Sequence, residues 1–268
     1  MKIAIAIMSC VKNAERREAV RRTWVKDIPF GIDYFFFVGH VGVSDAISLP
    51  CGDAYEDCAF KQIEMIKFVK DYDYVFFCDD DTYVVIDRLM LCGFEAHDYM
   101  GCPCMLYEEC VAAHGGAGFW MSKKAMVAAL DVGLDHPKFI KTQFSDQAVG
   151  RLLRIAGIKL KADMRFHLGK YVGNRGVCVL VPNRFNRYIT THFISPAKAD
   201  QVYAHFHSGA SLPQNVYTMS ICGRRVDFSE HRGNWWYSVW GESGFRGEFA
   251  FAQEAENDAI ARLMPRSG

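Results

Sequence analysis

The feature that most constrains the fold is the segment DYVFFCD, residues 73–79, a continuous apolar run that ends in aspartate. An apolar run of this length without polar alternation is typical of a strand that is buried on both faces. Such strands occur in parallel sheets whose two faces are covered by helices. The segment therefore predicts the central strand of an α/β fold.

Strand and helix patterns alternate before this segment. The segments KIAIAIMS (2–9) and DYFFFVG (33–39) are rich in apolar and aromatic residues and predict two further strands. Between them, NAERREAVRRTWV (13–25) has helix-forming composition and predicts a helix over that range. The alternation predicts a mostly parallel central sheet that is flanked by helices.

Later segments have the spacing of helices. Residues 143–157 carry an apolar helical stripe that Gly157 ends, and helices are also predicted for residues 123–130 and near 251–263. In residues 58–72, apolar side chains three apart predict an amphipathic helix. Its buried stripe is predicted to contain Phe60, Ile63, Ile66 and Val69.

The charge balance excludes a protein with a large basic surface. Lysine and arginine number 31, aspartate and glutamate also number 31, and the net charge is zero. We therefore expect no nucleic-acid partner, and an anionic ligand has to be met locally by a metal ion or a few arginines. The N-terminal apolar stretch is at the lower limit of length for a signal peptide and is far too short for a membrane span. We expect a cytoplasmic chain with reduced cysteines and no transmembrane segment.

Three aspartates, Asp79, Asp80 and Asp81, stand at the carboxyl end of the predicted central strand. In open α/β sheets, ligands bind beyond the carboxyl ends of the strands. Carboxylate oxygens suit Mg²⁺ or Mn²⁺, which hold substrate phosphates, so the triplet predicts a metal site. One alternative is the aspartate nucleophile of haloacid-dehalogenase phosphatases, although Tyr83 stands where that pattern has Thr or Val.

Six segments in order along the chain carry a resemblance to a known family. They are RREAVRRTW (16–24), DAYEDCAFK (53–61), FFCDDDTYVV (76–85), GGAGFWMS (115–122), SDQAVGRLL (145–153) and THFISPAKADQVY (191–203). They resemble motifs of glycosyltransferase family 31, which includes β-1,3-galactosyltransferases, β-1,3-N-acetylglucosaminyltransferases, fringe proteins and core-1 synthase. The chain departs from these motifs at Asp57, where the family usually has Asn, and at Ser145, where many members have an acidic residue. We also expect no membrane anchor of the kind that the animal enzymes carry.

The resemblance implies a GT-A nucleotide-sugar-binding fold and a metal-dependent, inverting transfer of a hexose from a UDP-sugar to an oligosaccharide or glycoconjugate acceptor. It further implies one domain over residues 1–268, with a nucleotide-sugar-binding half (1–110) and an acceptor and catalytic half (111–268) that holds a C-terminal acceptor-side region. Galactose in β-1,3 linkage is the first expectation and N-acetylglucosamine the second. A soluble microbial or viral enzyme, or one domain of a longer chain, fits the expected absence of an anchor.

Site residues follow from the same resemblance. Asp81 is expected to be the chief ligand of Mn²⁺ or Mg²⁺, with Asp79 and His192 beside it; a fringe-like alignment selects His167 instead. Asp146 is expected to be the catalytic base, although an acidic residue is also favoured in the first turn of a helix. The residues expected to contact the nucleotide-sugar are Ser9, Arg17, Arg21, Asp53, Lys61, Asp79, Asp80, Asp81, Gly115 and Gly116.

Two tryptophans, Trp235 and Trp236, are candidates for stacking on acceptor sugar rings, and equally for the core. Two other classes of function stay open from the sequence. The aspartates suit a phosphohydrolase, and the fold suits a carbohydrate-binding protein without turnover. The intact triplet and Asp146 favour an enzyme over the second of these.

Overall fold

A computed structural model describes residues 1–39, 42–106, 110–135, 144–168, 170–172, 175–177, 187–208, 216–221, 224–231, 234–239 and 246–249. The chain divides into two compact units. The first comprises Met1–Leu168 and Tyr188–Tyr203, and the second comprises Gly169–Arg187 and Ala204–Gly268. The predicted helix near 251–263 lies outside the described residues.

The first unit contains a seven-stranded sheet, a three-stranded sheet and a two-stranded hairpin. Its strands are β1 (Ile3–Met8), β2 (Asp33–Val38), β3 (Ile47–Ser48), β4 (Tyr74–Asp79), β5 (Tyr83–Val84), β6 (Tyr99–Gly101), β7 (Pro103–Leu106), β8 (Cys110–Ala113), β9 (Phe119–Ser122), β10 (Lys161–Ala162), β11 (Phe166–His167) and β14 (Thr190–Thr191). The large sheet has the strand order β10-β6-β9-β4-β1-β2-β3. Strand β9 runs antiparallel to both of its neighbours, and the other pairs are parallel.

Helices cover this sheet. They are α1 (Ala14–Arg22), α2 (Cys58–Val69), α3 (Ile86–Met90), α4 (Lys123–Asp135) and α5 (Ser145–Ile155), and α6 (Pro196–Ser208) begins in this unit. Single 3-10 turns occur at Val11–Asn13, Trp24–Asp27, Tyr55–Asp57 and Phe94–Ala96. Helices α2, α4 and α5 contact one another and contribute to the main apolar core. The prediction of a mostly parallel sheet flanked by helices is confirmed.

The second unit is built from antiparallel strands. Strands β12 (Lys170–Val172) and β13 (Arg175–Val177) form a hairpin. A four-stranded sheet follows in the order β15-β16-β17-β18. Its strands are β15 (Val216–Ile221), β16 (Arg224–His231), β17 (Asn234–Val239) and β18 (Arg246–Phe249). Across the described parts of both units, the helices are too short or too polar to cross a bilayer.

The central strand is the one that the apolar run predicted. Strand β4 lies between β1 and β9, and Val75, Phe76 and Phe77 are at most 1% exposed. Because β1, β2 and β4 are parallel, their carboxyl ends meet at one edge of the sheet. The aspartate triplet therefore leaves the sheet at the edge where ligands bind in such folds.

Three helix predictions need correction. The helix predicted over 13–25 ends at Arg22, because Thr23 leaves helical geometry and its hydroxyl donates back to the Ala19 carbonyl at 2.6 Å. The helix predicted for 123–130 continues to Asp135. In α2, Phe60 is 41% exposed. Three-residue spacing drifts around a helix of 3.6 residues per turn, which carries the first member of the stripe toward solvent.

The buried face of α2 gives a stability prediction. We expect Ile66→Ala, at a fully buried position, to lower the free energy of unfolding by about 2–5 kcal/mol through lost burial and a cavity. The matched variant Phe60→Ala is expected to cost less than Ile66→Ala, because Phe60 is already 41% exposed to water and loses less burial. Urea unfolding monitored by circular dichroism measures both; equal losses would contradict the observed orientation of the helix.

Candidate active site

The three aspartates are separated by a tight turn at the end of β4. The Asp80 amide donates to the Met8 carbonyl at 3.0 Å, and the Thr82 amide donates to the Asp79 carbonyl at 3.1 Å. The first bond continues the pairing with β1, and the second closes the turn. Because the chain turns here, the carboxylates of neighbouring residues point to different partners.

Asp80 faces the start of α1. Its carboxylate accepts hydrogen bonds from the Ser9 hydroxyl at 2.7 Å, the Asn13 amide at 2.9 Å and the Arg16 guanidinium at 3.1 Å. Only 5% of the residue is exposed. Burial raises the pKa of Asp80 above its usual value, although the bonds from Ser9 and Asn13 oppose that shift. Asp80 thus fixes the turn to α1 and has protein donors on both oxygens.

His192 reaches the triplet through backbone pairing. Strand β14 pairs with β5, which follows the triplet directly, so that Thr191 lies opposite Tyr83. The Ile194 amide then donates to the Asp81 carbonyl at 2.8 Å. Phe193 adopts the left-handed φ of 62° and stacks its ring on the His192 imidazole at 3.7 Å. These contacts hold the imidazole over the aspartates.

Asp79, Asp81 and His192 form a cluster with metal-ligand geometry. Each offers one ligand atom, and these atoms lie within 4.8 Å of one another. The imidazole Nε2 is 3.1 Å from Asp81 Oδ1 and 3.8 Å from Asp79 Oδ2. Two carboxylate oxygens and one imidazole nitrogen are suitable donors for Mn²⁺. The residues present therefore fit a divalent metal ion.

The two carboxylates of this cluster have pKa values shifted in opposite directions, upward for Asp79 and downward for Asp81. Partial burial, together with the charges of Asp81 and Asp80, raises the pKa of Asp79 to about 7, and the charge of His192 opposes that rise. Burial also acts on Asp81, but the hydrogen bond and charge of His192 outweigh it, so the pKa of Asp81 is lowered. For His192, burial alone would lower the pKa, and the bond to Asp81 raises it. Protons and a metal ion compete for these groups.

Gly116 lies against the imidazole of His192. A Cβ built on Gly116 would stand 2.1 Å from the His192 Cε1 atom, a distance that no side chain can occupy. The neighbouring backbone is fixed by two hydroxyls, since Thr82 donates to the Gly116 carbonyl at 2.6 Å and Thr190 to the Ala117 carbonyl at 2.5 Å. The requirement for glycine at this position comes from the packing of His192 itself.

Asp146 lies in the first turn of α5 and is half-buried. Its Oδ1 accepts from the Gln147 amide at 2.8 Å, and its Oδ2 faces the Gly115 amide at 3.3 Å. His114 stands beside it, with its Nδ1 accepting from the Ala117 amide at 3.1 Å. Burial and the nearby His192 lower the pKa of His114 to about 4, while the charge of Asp146 opposes that shift.

Asp53 and Lys61 connect the ends of β1 and β2. The Lys61 ammonium is buried and donates to Asp53 Oδ1 at 2.5 Å and to the Ser9 carbonyl at 2.9 Å. Asp53 also accepts from the Gly39 amide at 2.8 Å. Because these bonds hold the Ser9 backbone, the pair supports the residue whose hydroxyl donates to the triplet.

The two arginines of α1 that were predicted to contact the nucleotide-sugar pair with Asp45, and Arg17 also donates to the Ser9 hydroxyl at 3.2 Å. Arg17 is 1% exposed and donates to both carboxylate oxygens of Asp45, at 2.9 and 3.1 Å. Arg21 also donates to Asp45. The arginine at the triplet is Arg16, which sequence analysis missed. The sequence did contain a signal for Arg16: it stands three residues after Asn13, a spacing that puts both side chains on one face of a helix. In the structure, both side chains donate to Asp80.

Of the remaining predicted site residues, the structure describes the side chain of His167 but not those of the two tryptophans. Trp235 and Trp236 belong to β17 of the second unit, and their side chains lie outside the described part of the structure. His167 lies in β11 and stacks on Tyr188 at 4.1 Å. Within the described residues, the cluster whose ligand atoms are close enough to share a metal ion contains His192 and does not contain His167.

Comparisons with known proteins give remote likenesses. A scan against models of protein families finds no match. Glycosyltransferase GlyE of Streptococcus pneumoniae is similar at 10% identity and a TM-score of 0.41, over 62% of this chain and 46% of that chain. The chain thus spans less than half the length of GlyE.

Two galactosyltransferases are also similar in structure. LgtC, solved with donor and acceptor sugar analogues, aligns at 13% identity and a TM-score of 0.41 over 72% of this chain and 88% of that chain. The catalytic domain of Drosophila β1,4-galactosyltransferase 7, in complex with xylobiose, aligns at 14% identity and a TM-score of 0.33 over 84% and 91% of the two chains. Because these likenesses are remote, the chemistry of the site is interpreted from this chain's own residues.

Proposed function

We propose that the chain is a metal-dependent glycosyltransferase of GT-A fold that transfers a hexose, with inversion, from a UDP-sugar to a saccharide acceptor. The observation that carries the proposal is the cluster of Asp79, Asp81 and His192 at the carboxyl end of the central strand. The six motif resemblances support the same conclusion.

The cluster suits the leaving group of this reaction. A divalent ion, when bound there, supplies Lewis-acid stabilisation of the negative charge on the departing nucleotide diphosphate. Asp79, Asp81 and His192 would hold that ion. Phe193 and Gly116 keep the imidazole of His192 in place, because one stacks on it and the other leaves room for it. Asp80 keeps the turn attached to α1.

Asp146 is the proposed catalytic base. Inverting transfer needs a carboxylate that takes the proton of the acceptor hydroxyl while the oxygen of that hydroxyl attacks the anomeric carbon. The Gly115 and Gln147 amides fix the orientation of the Asp146 carboxylate. Gly115 thus contributes through its backbone amide. The proximity of the Asp146 and His192 side chains to one short backbone segment supports this role: the Gly115 amide is 3.3 Å from Asp146 Oδ2, and the next residue, Gly116, lies against the His192 imidazole.

The finer assignments rest on the motif resemblance. Galactose is the proposed donor sugar and β-1,3 the proposed linkage, with N-acetylglucosamine as the second candidate. The acceptor class is an oligosaccharide or glycoconjugate, for which Trp235 and Trp236 are the proposed stacking residues. Ser9, Asp53 and Lys61 are proposed to shape the nucleotide-sugar site at the strand ends.

The first prediction of this proposal concerns the metal. We expect UDP to bind in calorimetric titration with MnCl₂ and to lose binding in EDTA, because the diphosphate needs the dication. Equal binding of UDP in EDTA would show that Asp81 and His192 do not bind UDP through a metal ion. Absence of UDP binding with manganese would contradict the proposal, and trapping of Asp79 by beryllofluoride would then support the phosphohydrolase. A panel of UDP-sugars in a transfer assay identifies the donor.

A second prediction separates chemistry from binding. We expect Asp146→Asn to lower kcat by about 10²- to 10⁴-fold, which is the usual contribution of a general base. Manganese-dependent binding of UDP should be unchanged in calorimetry. The control is Asp131→Asn, an exposed carboxylate on α4, which should leave both quantities unchanged. Loss of UDP binding together with activity would show that Asp146 is structural.

A third prediction tests the choice of histidine. We expect His192→Ala to weaken Mn²⁺ binding at least about tenfold, because the variant removes a proposed ligand. Loss of even an outer residue that only hydrogen-bonds to a metal ligand usually weakens metal binding by this much. His167→Ala is the matched control, because its backbone carbonyl still accepts the His192 amide. Manganese titration by electron paramagnetic resonance measures both dissociation constants. A larger effect of His167→Ala would reverse the ligand assignment.

A further inference from the structure

Arg16 is the guanidinium that contacts the aspartate triplet. Its Nη1 donates to Asp80 Oδ1 at 3.1 Å and to Asp81 Oδ2 at 3.0 Å. Both bonds come from this one nitrogen, and the side chain is 41% exposed. Burial disfavours the charged guanidinium, but the charges of Asp81 and Asp80 outweigh that effect and raise the pKa of Arg16. Arg16 is therefore a permanent cation at the edge of the metal cluster.

The rest of the Arg16 guanidinium has no partner within the part of the chain that the structure describes. Its Nε and Nη2 make no hydrogen bond or ion pair with any residue in the described ranges. The other arginines of α1 differ, since each directs two nitrogens at an aspartate. Arg17 and Arg21 do so with Asp45, and Arg22 does so with Asp200 at 2.8 Å from each nitrogen. Arg16 thus keeps free donors that partly face solvent.

The free donors lie next to the metal cluster. Asp81 shares its carboxylate between two partners, with Oδ2 on Arg16 and Oδ1 on His192. A metal ion bound between Asp81 Oδ1 and His192 would therefore have the Arg16 guanidinium nearby, on the Oδ2 side of the same carboxylate. A ligand of that metal ion would be close to Arg16. Planar guanidinium forks match the geometry of phosphate oxygens and bind them through two parallel hydrogen bonds.

We propose that Arg16 binds the diphosphate of the nucleotide-sugar through its free Nε and Nη2 donors, while its Nη1 holds Asp80 and Asp81. The proposal rests on the proposed function, and it adds Arg16 to the residues that the sequence predicted to contact the nucleotide-sugar.

The test compares binding of a metal with binding of an anion. In calorimetry, Arg16→Met is expected to weaken UDP and inorganic pyrophosphate, each with Mn²⁺ present, by about 10- to 100-fold, the range for hydrogen bonds to charged groups. Mn²⁺ alone should bind as tightly as before or more tightly, since a competing cation has left Asp81. The control is Arg22→Met, which removes an arginine of the same helix from its pair with Asp200 and should change neither affinity.

Each outcome has one meaning. Equal UDP affinity in wild type and Arg16→Met would overturn this inference and leave the nucleotide-binding function standing. Parallel loss of Mn²⁺ and UDP binding would overturn it too, because Arg16 would then only position Asp81. Arginine-dependent binding of pyrophosphate without any binding of UDP would support the anion site and contradict the proposed function. If Arg16→Met loses its fold by circular dichroism, Arg16→Lys serves instead, with a smaller loss of UDP affinity and the same unchanged Mn²⁺ affinity.

Discussion

The site depends on how three adjacent carboxylates are kept apart at the end of one buried strand. Like charges at this spacing destabilise one another unless each finds its own partner. Asp80 is directed to donors at the start of α1, and Asp81 is shared between Arg16 and His192. Asp79 keeps the largest exposure of the three, and its pKa is raised to about 7. The turn therefore gives the three identical side chains three different roles.

The partners of the triplet come from distant parts of the chain, and backbone pairing brings them together. The pairing of β14 with β5 carries His192 across more than a hundred residues of sequence to Asp81. Gly116, from the segment before β9, has to be glycine because the imidazole occupies the place of its Cβ. Lys61 and Asp53 hold the strand ends from a third segment. A change in any of these segments alters the metal cluster through ordinary packing.

The central strand and the position of the triplet could be predicted from sequence, because a long apolar run has few other structural meanings. The position of His192 followed from motif resemblance alone, since no local pattern reports an antiparallel pairing so distant in sequence. Arg16 was missed because α1 carries four arginines and their rotation about the helix is set by tertiary contacts. Phe60 was wrongly predicted to be buried for a related reason. Residue spacing shows which side chains lie along one face of a helix, but tertiary packing decides how much of that face is buried.

Charge explains why this arrangement favours a divalent ion. A metal ion binds ionised carboxylates and a neutral imidazole, and in that protonation state the three carboxylates and the guanidinium of Arg16 carry a net charge of minus two. A dication cancels these two charges, whereas a monovalent cation leaves one of them. The ammonium of Lys61 does not change this balance, because it is paired with Asp53. In the proposed function, a bound dication therefore neutralises the triplet, and the outward edge of Arg16 supplies donors for the diphosphate.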